Sequence, residues 1–281
     1  IYGMSLKGKK SWFMFDNEII ALGSDIQSND GRPIETIVEN RKLLDSGNNA
    51  LYVDNQKMSS KLGWTEEKEG VKWAHLSGNA KGSDIGYYFP KTADVKFQRE
   101  ARTGSWKEIN TTGSDQLITR NYMKMVINHG VNPSNGSYSY VLLPNKSKEE
   151  TAKYSENPDI KVLANNEKVQ AVKEKKLNII GVNFWENEKI TIDKLTSYQK
   201  ASVMFKEIPG NMIEIAVSDP THKQDSIEIE LDYNIKSSIF IDPRIHIKKI
   251  SPAKTKLVID VKGAMGQSIK ARFSLNNKPL D

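Results

Sequence analysis

The sequence predicts an all-β protein. Nearly every apolar segment is short, β-branched or aromatic, and bounded by Gly, Asn, Asp or Pro, which is how strands separated by turns read. Helical periodicity is scarce, and beyond Asp159 the apolar residues recur with a period of two, as in antiparallel strands that bury one face and wet the other. With 281 residues the chain can form one large β domain or two smaller ones, each with its own core.

In the first half, strands are expected at 11–15, 19–22, 34–38, 71–76, 85–89, 95–99 and 138–143, alternating with turn clusters such as Ser28-Asn-Asp-Gly31 and Asn132-Pro-Ser-Asn-Gly136. One segment breaks the rhythm. Ser147 followed by Glu150 is a capping box that opens a short helix through Ala152 and Tyr154, and Pro158 stops it. The polar stretch 154–159 has little to bury and reads as the domain boundary, giving domains 1–156 and 157–281. In the second half, Ser226-Ile-Glu-Ile-Glu-Leu-Asp232 and Lys256-Leu-Val-Ile-Asp-Val261 alternate cleanly, and 205–215 reads as a hairpin turning at Pro209-Gly-Asn211. A small antiparallel β-sandwich is expected from about Asp159 to Leu275.

Composition narrows the function. A hydrophobic share of 37%, a charged share of 27% and a mean hydropathy of −0.57 describe a well-solvated surface. No apolar run approaches the roughly 20 residues that span a bilayer, so no membrane partner is expected. The net charge of +6 is thinly spread, with 21 basic and 19 acidic residues up to Glu156 and 20 and 16 beyond it. Nucleic-acid binding is therefore not expected, because that calls for a compact basic stripe. The absence of cysteine removes disulfides, thiolate metal sites and cysteine nucleophiles together. The chain opens at Ile1 without a basic-then-apolar leader, which reads as a processed product or, better, an excised fragment.

The segment Lys10-Ser-Trp-Phe-Met-Phe-Asp-Asn-Glu-Ile-Ile-Ala-Leu-Gly-Ser-Asp-Ile26 closely resembles the strand pair K-S-W-F-x-F-D-[DE]-x-[IV]-x-x-L-G-x-x-I of the polysaccharide lyases that include hyaluronate, chondroitin AC and xanthan lyases. Three further matches follow in order: Glu35-Thr-Ile-Val-Glu-Asn-Arg41, Gly104-Ser-Trp-Lys-Glu-Ile-Asn110, and His129-Gly-Val-Asn-Pro133 leading into Tyr138-Ser-Tyr-Val-Leu-Leu-Pro144. Within the family the resemblance is read as nearest to hyaluronate lyases of Gram-positive bacteria. It implies part of a large antiparallel β supersandwich followed by a small antiparallel β-sandwich, preceded in the whole enzyme by an α/α toroid.

It also implies β-elimination on hyaluronan or a related uronate-containing polysaccharide, without a cofactor, by a secreted, extracellular enzyme. In that family an Asn stabilises developing charge, a His or Tyr acts as base and a Tyr as acid, and an Arg and a Glu orient them. The Asn, His, Tyr and Arg lie on the toroid and the Glu precedes the K-S-W-F strand. No catalytic residue is therefore expected in this chain, and alone it is expected to be inactive. The same region of a chondroitin or xanthan lyase, or a stand-alone carbohydrate-binding or adhesion module, are the alternatives.

The remaining candidates have structural readings. Among the histidines, His129 is expected to hydrogen-bond a turn before the Tyr138 strand, His75 to pack half-buried beside Trp73, and His222 to lie in an exposed loop; His246 has no partner implied by spacing. Glu35 and Glu39, four apart in a strand, fall on one face and could suggest a hydrolase pair, but Glu39 with Arg41 reads as an ion pair. Asp16, Asp25 and Asp30 read as solvated turn acids; without EF-hand spacing no metal site is expected. Trp12 and Phe15 are assigned to the core. Trp64, in a polar loop beside Gly63, reads as exposed and is the candidate carbohydrate contact.

Overall fold

The computed structural model describes residues 3–276, and the chain separates into two compact units, Ile1–Pro158 and Asp159–Asp281. Unit 1 contains β1 (Lys7–Met14), β2 (Ile19–Gln27), β3 (Pro33–Lys42), β4 (Leu51–Val53), β5 (Gln56–Lys57), β6 (Thr65–Leu76), β7 (Ile85–Gly104), β8 (Ile118–Val131), β9 (Gly136–Pro144) and helix α1 (Lys148–Glu156). The expected strands at 85–89 and 95–99 are one continuous strand, β7. It pairs with β6 along one edge. On its other edge residues Ile85 to Tyr88 pair with β9, whereas Lys96 to Gly104 pair with β8.

The sheet therefore forks at β7. One arm runs β9–β2–β1 and the other β8–β3. Both arms feed one core: Ala21, Ile26, Tyr138 and Tyr140 from the first share a cluster with Val38, Met123, Met125 and Ile127 from the second. Each arm offers an apolar face that the other removes from water.

The sequence reading missed β8. Its inward residues Met123 and Met125 are buried, but polar Asn121 shares their face and Arg120, Tyr122 and Lys124 alternate with them, so the apolar content stays low. Trp12 was also misassigned. Along β1 the buried positions are Ser11 and Phe13, while Trp12 is 54% and Met14 71% exposed. An unbroken apolar run, Trp-Phe-Met-Phe, carries no parity of its own, and the pairing of β1 on β2 decides which side faces in. Phe15 is only half-buried.

The helix forms as its cap predicts. Glu150 N–H donates to Ser147 Oγ at 3.1 Å and Ser147 N–H donates to Glu150 Oε2 at 2.8 Å. Its Thr151 lies on Gly86 of β7, where an added Cβ would come within 2.3 Å of the threonine hydroxyl.

Unit 2 contains β10 (Ile160–Asn165), β11 (Val169–Glu174), β12 (Ile179–Phe184), β13 (Ile190–Ile192), β14 (Leu195–Ser197), β15 (Ala201–Ile208), β16 (Met212–Ser218), β17 (Ser226–Leu231), β18 (Ile235–Ile241), β19 (Ile245–Ser251), β20 (Lys254–Asp260) and β21 (Ile269–Leu275). A sheet ordered β10-β11-β12-β15-β16-β21-β18 and a second ordered β13-β14-β17-β20-β19 enclose one core, in which Phe205, Ile213 and Ile215 meet Ile227, Ile229, Leu257 and Ile259. All ladders are antiparallel, and β15 and β16 join at the expected Pro209-Gly-Asn211 turn, with Gly210 and Asn211 at positive φ.

One polar side chain stands out in the interior of unit 1. Arg99 of β7 is completely buried, and its guanidinium donates to the carbonyls of Ser59 (2.9 Å), Gly47 (2.9 Å) and Asn49. No carboxylate pairs with it among the described residues. It closes the loops 43–50 and 58–64 onto the sheet. Arg99→Ala is expected to lower the unfolding free energy by about 3 kcal/mol or more, because three buried carbonyls lose their donors. Arg102→Ala, three residues along on the outer face, is expected to cost under about 1 kcal/mol. Urea unfolding of the two variants checks the contrast.

Candidate saccharide groove

The β7–β8 hairpin brings together residues far apart in sequence. Its register sets Arg102 opposite Arg120 and Glu100 opposite Tyr122. Directly paired residues in an antiparallel ladder share a face, so two guanidinium groups stand side by side, an arrangement that is unfavourable without an anion. Arg102 is partly compensated: its Nε donates to Glu100 Oε1 at 2.7 Å, and its guanidinium carbon lies 4.3 Å from the centre of the Tyr122 ring. Arg120 is not. Its side chain bonds the Thr119 carbonyl at 2.8 Å and meets no carboxylate among the described residues.

The loop closing the hairpin supplies the apolar side of the groove. A 3-10 turn, Trp106–Glu108, is capped by the Glu108 carboxylate, which accepts from Ser105 N–H at 3.2 Å. Lys107 N–H bonds the Ser114 carbonyl at 3.0 Å and closes the loop. Gly113 is required where the loop folds back, since a Cβ there would lie 2.7 Å from the Trp106 carbonyl carbon. These constraints leave Trp106 60% and Ile109 81% exposed beside the arginines. The groove, about 310 Å³, thus holds a guanidinium with no carboxylate partner among the described residues together with an open indole, and the Glu108 carboxylate on its lining is engaged in capping the Trp106 turn. That combination suits a carboxylated sugar, whose acid group takes a bidentate arginine and whose ring lies against an aromatic face.

The other candidates fall elsewhere. Trp64 is half-buried, packed against the core of unit 1, and is not among the groove-lining residues. Its carbonyl accepts from Arg99 N–H at 2.9 Å, so it sits at the end of the loop that Arg99 fastens. A β-bulge between Ile37 and Glu39 separates the two strand carboxylates that simple parity would have put on one face. Glu35 bonds Lys124 at 3.1 Å, while Glu39 turns to Arg41 (3.2 Å) and to the buried Tyr87 hydroxyl. Burial, with the Glu39 carboxylate beside it, holds that hydroxyl well above its ordinary pKa, so it remains a donor.

His129 lies within β8 and bonds Thr36 Oγ1 across to β3 at 2.8 Å, not a turn as expected. His75 is fully buried and meets the Lys146 carbonyl (3.1 Å) and Asp84 (3.4 Å) through Nε2. His222 is exposed in its loop, and His246 is exposed on β19. Asp30 receives Ser5 through both its hydroxyl (2.7 Å) and its backbone N–H (3.0 Å), and these bonds lower its pKa. Asp25 accepts from Gln27 at 2.8 Å and Asp16 from the Asn17 backbone at 3.0 Å. Sequence reasoning missed Arg102, Arg120 and Tyr122. Their pairing becomes visible only once the register of β8 is known, whereas Trp106 is legible in the sequence as one of several aromatics able to stack on a sugar.

A forked sheet around one core, followed by a small antiparallel sandwich, defines the class of this chain as a two-unit, all-β protein. Residues 2–155 match the polysaccharide lyase family 8 super-sandwich domain, and residues 161–228 match the C-terminal beta-sandwich domain of the same family. The chain belongs to polysaccharide lyase family 8. It is 47% identical over 275 residues to a xanthan lyase of Bacillus sp. (strain GL1), covering 96% of this chain and 29% of that protein. It is 32% identical over 258 residues to a hyaluronate lyase of Thermasporomyces composti, covering 92% and 32%.

Among solved structures it aligns with a Paenibacillus xanthan lyase at a TM-score of 0.95 and 48% identity, over 100% of this chain and 27% of that one. It aligns with the Streptomyces coelicolor A3 chondroitin AC lyase in complex with chondroitin sulphate at 0.83 and 29%, over 98% and 33%. The chain thus spans about a third or less of the length of these relatives. No helix among the described residues is long and apolar enough to cross a membrane.

Burial lowers the pKa of both His75 and His129 from the ordinary imidazole value of 6.5. Their neutral forms fit the folded state, so their contribution is complete above pH 6.5 and is lost as pH falls from there toward the folded-state values. The thermal stability of the chain is expected to fall as pH drops below 6.5, before the carboxylates titrate. The double variant His75→Gln/His129→Gln should flatten that slope.

Proposed function

We propose that the chain is the non-catalytic β region of a secreted family 8 lyase that cleaves an acidic polysaccharide by β-elimination. Residues 1–156 form part of its central β domain and 157–281 its small C-terminal sandwich. The catalytic groups are supplied by an upstream toroid, the partner that the family resemblance implies. This region supplies scaffold and one wall that reads the acid groups of the polymer. The observation that carries the reading is the uncompensated Arg120 beside Arg102 and the exposed Trp106. A wall of this kind binds a uronate or another carboxylated sugar without needing chemistry of its own.

Hyaluronan is the substrate the motifs suggest. The greater identity to a xanthan lyase than to a hyaluronate lyase favours a xanthan-type polymer instead. Trp64 is retained as a second sugar contact, since the residue is only half-buried. A stand-alone carbohydrate-binding module would use the same groove, and catalysis by the longer protein separates the two readings.

The full-length enzyme is expected to release unsaturated uronide from xanthan faster than from hyaluronan or chondroitin, followed by ultraviolet absorbance. The present chain alone should release none. Sustained release from the pure 281-residue chain would overturn the non-catalytic reading. For the groove, Arg120→Ala and Trp106→Ala are each expected to weaken binding of a uronate oligosaccharide by about tenfold, roughly 1.4 kcal/mol, in calorimetric titration. Trp64→Ala should have a smaller effect. Unchanged affinity in the Arg120 variant would remove the groove from the account.

A further inference from the structure

Unit 2 has a cavity of about 750 Å³ at one end of its sandwich, within the size range of about 300–1,000 Å³ common to small-molecule sites. It opens where the β13–β14, β15–β16 and β19–β20 turns converge on the link between β17 and β18 and on the end of β21. Its floor is apolar, formed by the buried Ile213 with the half-exposed Met212 and Leu275.

The charges at its rim cancel. Lys194 pairs with Glu207 at 3.2 Å, and Asp232 pairs with Lys254 at 3.2 Å. Tyr233 adds no open ring face, since one side packs against Phe205 with ring centres 5.5 Å apart and Lys194 Nζ lies 4.7 Å from its centre. Its hydroxyl is committed to Glu207. What the rim does offer is amide chemistry. Asn276 Nδ2 donates to Asn234 Oδ1 at 2.9 Å, leaving the Asn234 amide hydrogens as donors and the Asn276 side-chain carbonyl as an acceptor.

An apolar floor, a rim of amide donors and acceptors, and no spare charge describe a ligand with a hydrophobic face, a hydroxylated edge and no ionised group. We infer that this cavity is a second saccharide site, selective for uncharged pyranose units. It rests on the reading that the protein handles polysaccharide, and it adds to the acid-reading groove of unit 1 a site of the opposite charge preference. A polymer that alternates or decorates neutral and acidic sugars would give each unit something to hold.

The test uses the 281-residue chain labelled with 13C at the methionine methyls and 15N at the indoles. It is titrated separately with cellotetraose, maltotetraose and tetragalacturonate, in which every unit is acidic. The Met212 methyl should shift saturably with at least one of the neutral oligosaccharides and stay unmoved by the acidic one. Ala253→Trp, at an exposed rim position, should weaken that binding by about tenfold or more while leaving the urea midpoint unchanged. A Met212 signal indifferent to both neutral sugars, or moved more by the galacturonate, would overturn the inference. So would full binding by the folded Ala253→Trp variant. If Met212 is silent while the Trp106 indole responds to the acidic fragment, only the cavity site falls. If both are silent, the saccharide-handling reading of the chain falls with it.

Discussion

Unit 1 depends on one strand and one side chain on it. β7 is shared by both arms of the forked sheet, because its first residues pair with β9 and its last with β8. The loops beside it carry polar backbone that cannot be left in a dry interior unpaired. Arg99 meets that need by donating to three carbonyls from two loops. A lysine has a single nitrogen and could not reach three acceptors with fixed, planar geometry. The interior guanidinium is thus a hydrogen-bonding hub and not half of an ion pair.

The same strand explains the groove. With Phe97 and Arg99 facing in, the alternation of β7 sends Gln98, Glu100 and Arg102 outward, and the β8 register lines them up with Lys124, Tyr122 and Arg120. Glu100 is bonded by Gln98 at 3.1 Å and by Arg102, so its negative charge is already engaged. The excess positive charge falls on Arg120, at the end nearest the Trp106 loop. The small net charge of the whole chain conceals this local imbalance, which is why counting charges by halves gave no hint of it.

Much of the architecture was legible in the sequence, and the exceptions have particular causes. The capping box at Ser147, the Pro209-Gly-Asn211 hairpin and the period-two strands of unit 2 each depend on neighbours in the chain, and they form as read. The Glu39–Arg41 ion pair also forms as read, whereas the side that Trp12 faces, the bond from the Tyr87 hydroxyl to Glu39 and the meeting of Arg102 with Arg120 depend on pairing between distant segments. A single bulge in β3 was enough to reverse the expected orientation of Glu39. Family motifs identified the chain well, but they are largely motifs of strand and turn. They therefore reported the scaffold more clearly than the surface that meets a ligand.

The chain belongs to polysaccharide lyase family 8, and in the function proposed for it a wall that holds a polymer in register and neutralises its acid groups serves an elimination beside a carboxylate. Hydrogen–deuterium exchange of the chain with and without a saturating uronate tetrasaccharide tests that account most directly. It predicts protection concentrated in the hairpin from Arg102 to Tyr122, including the Trp106 loop. Protection elsewhere in unit 1, with the hairpin unchanged, would contradict it.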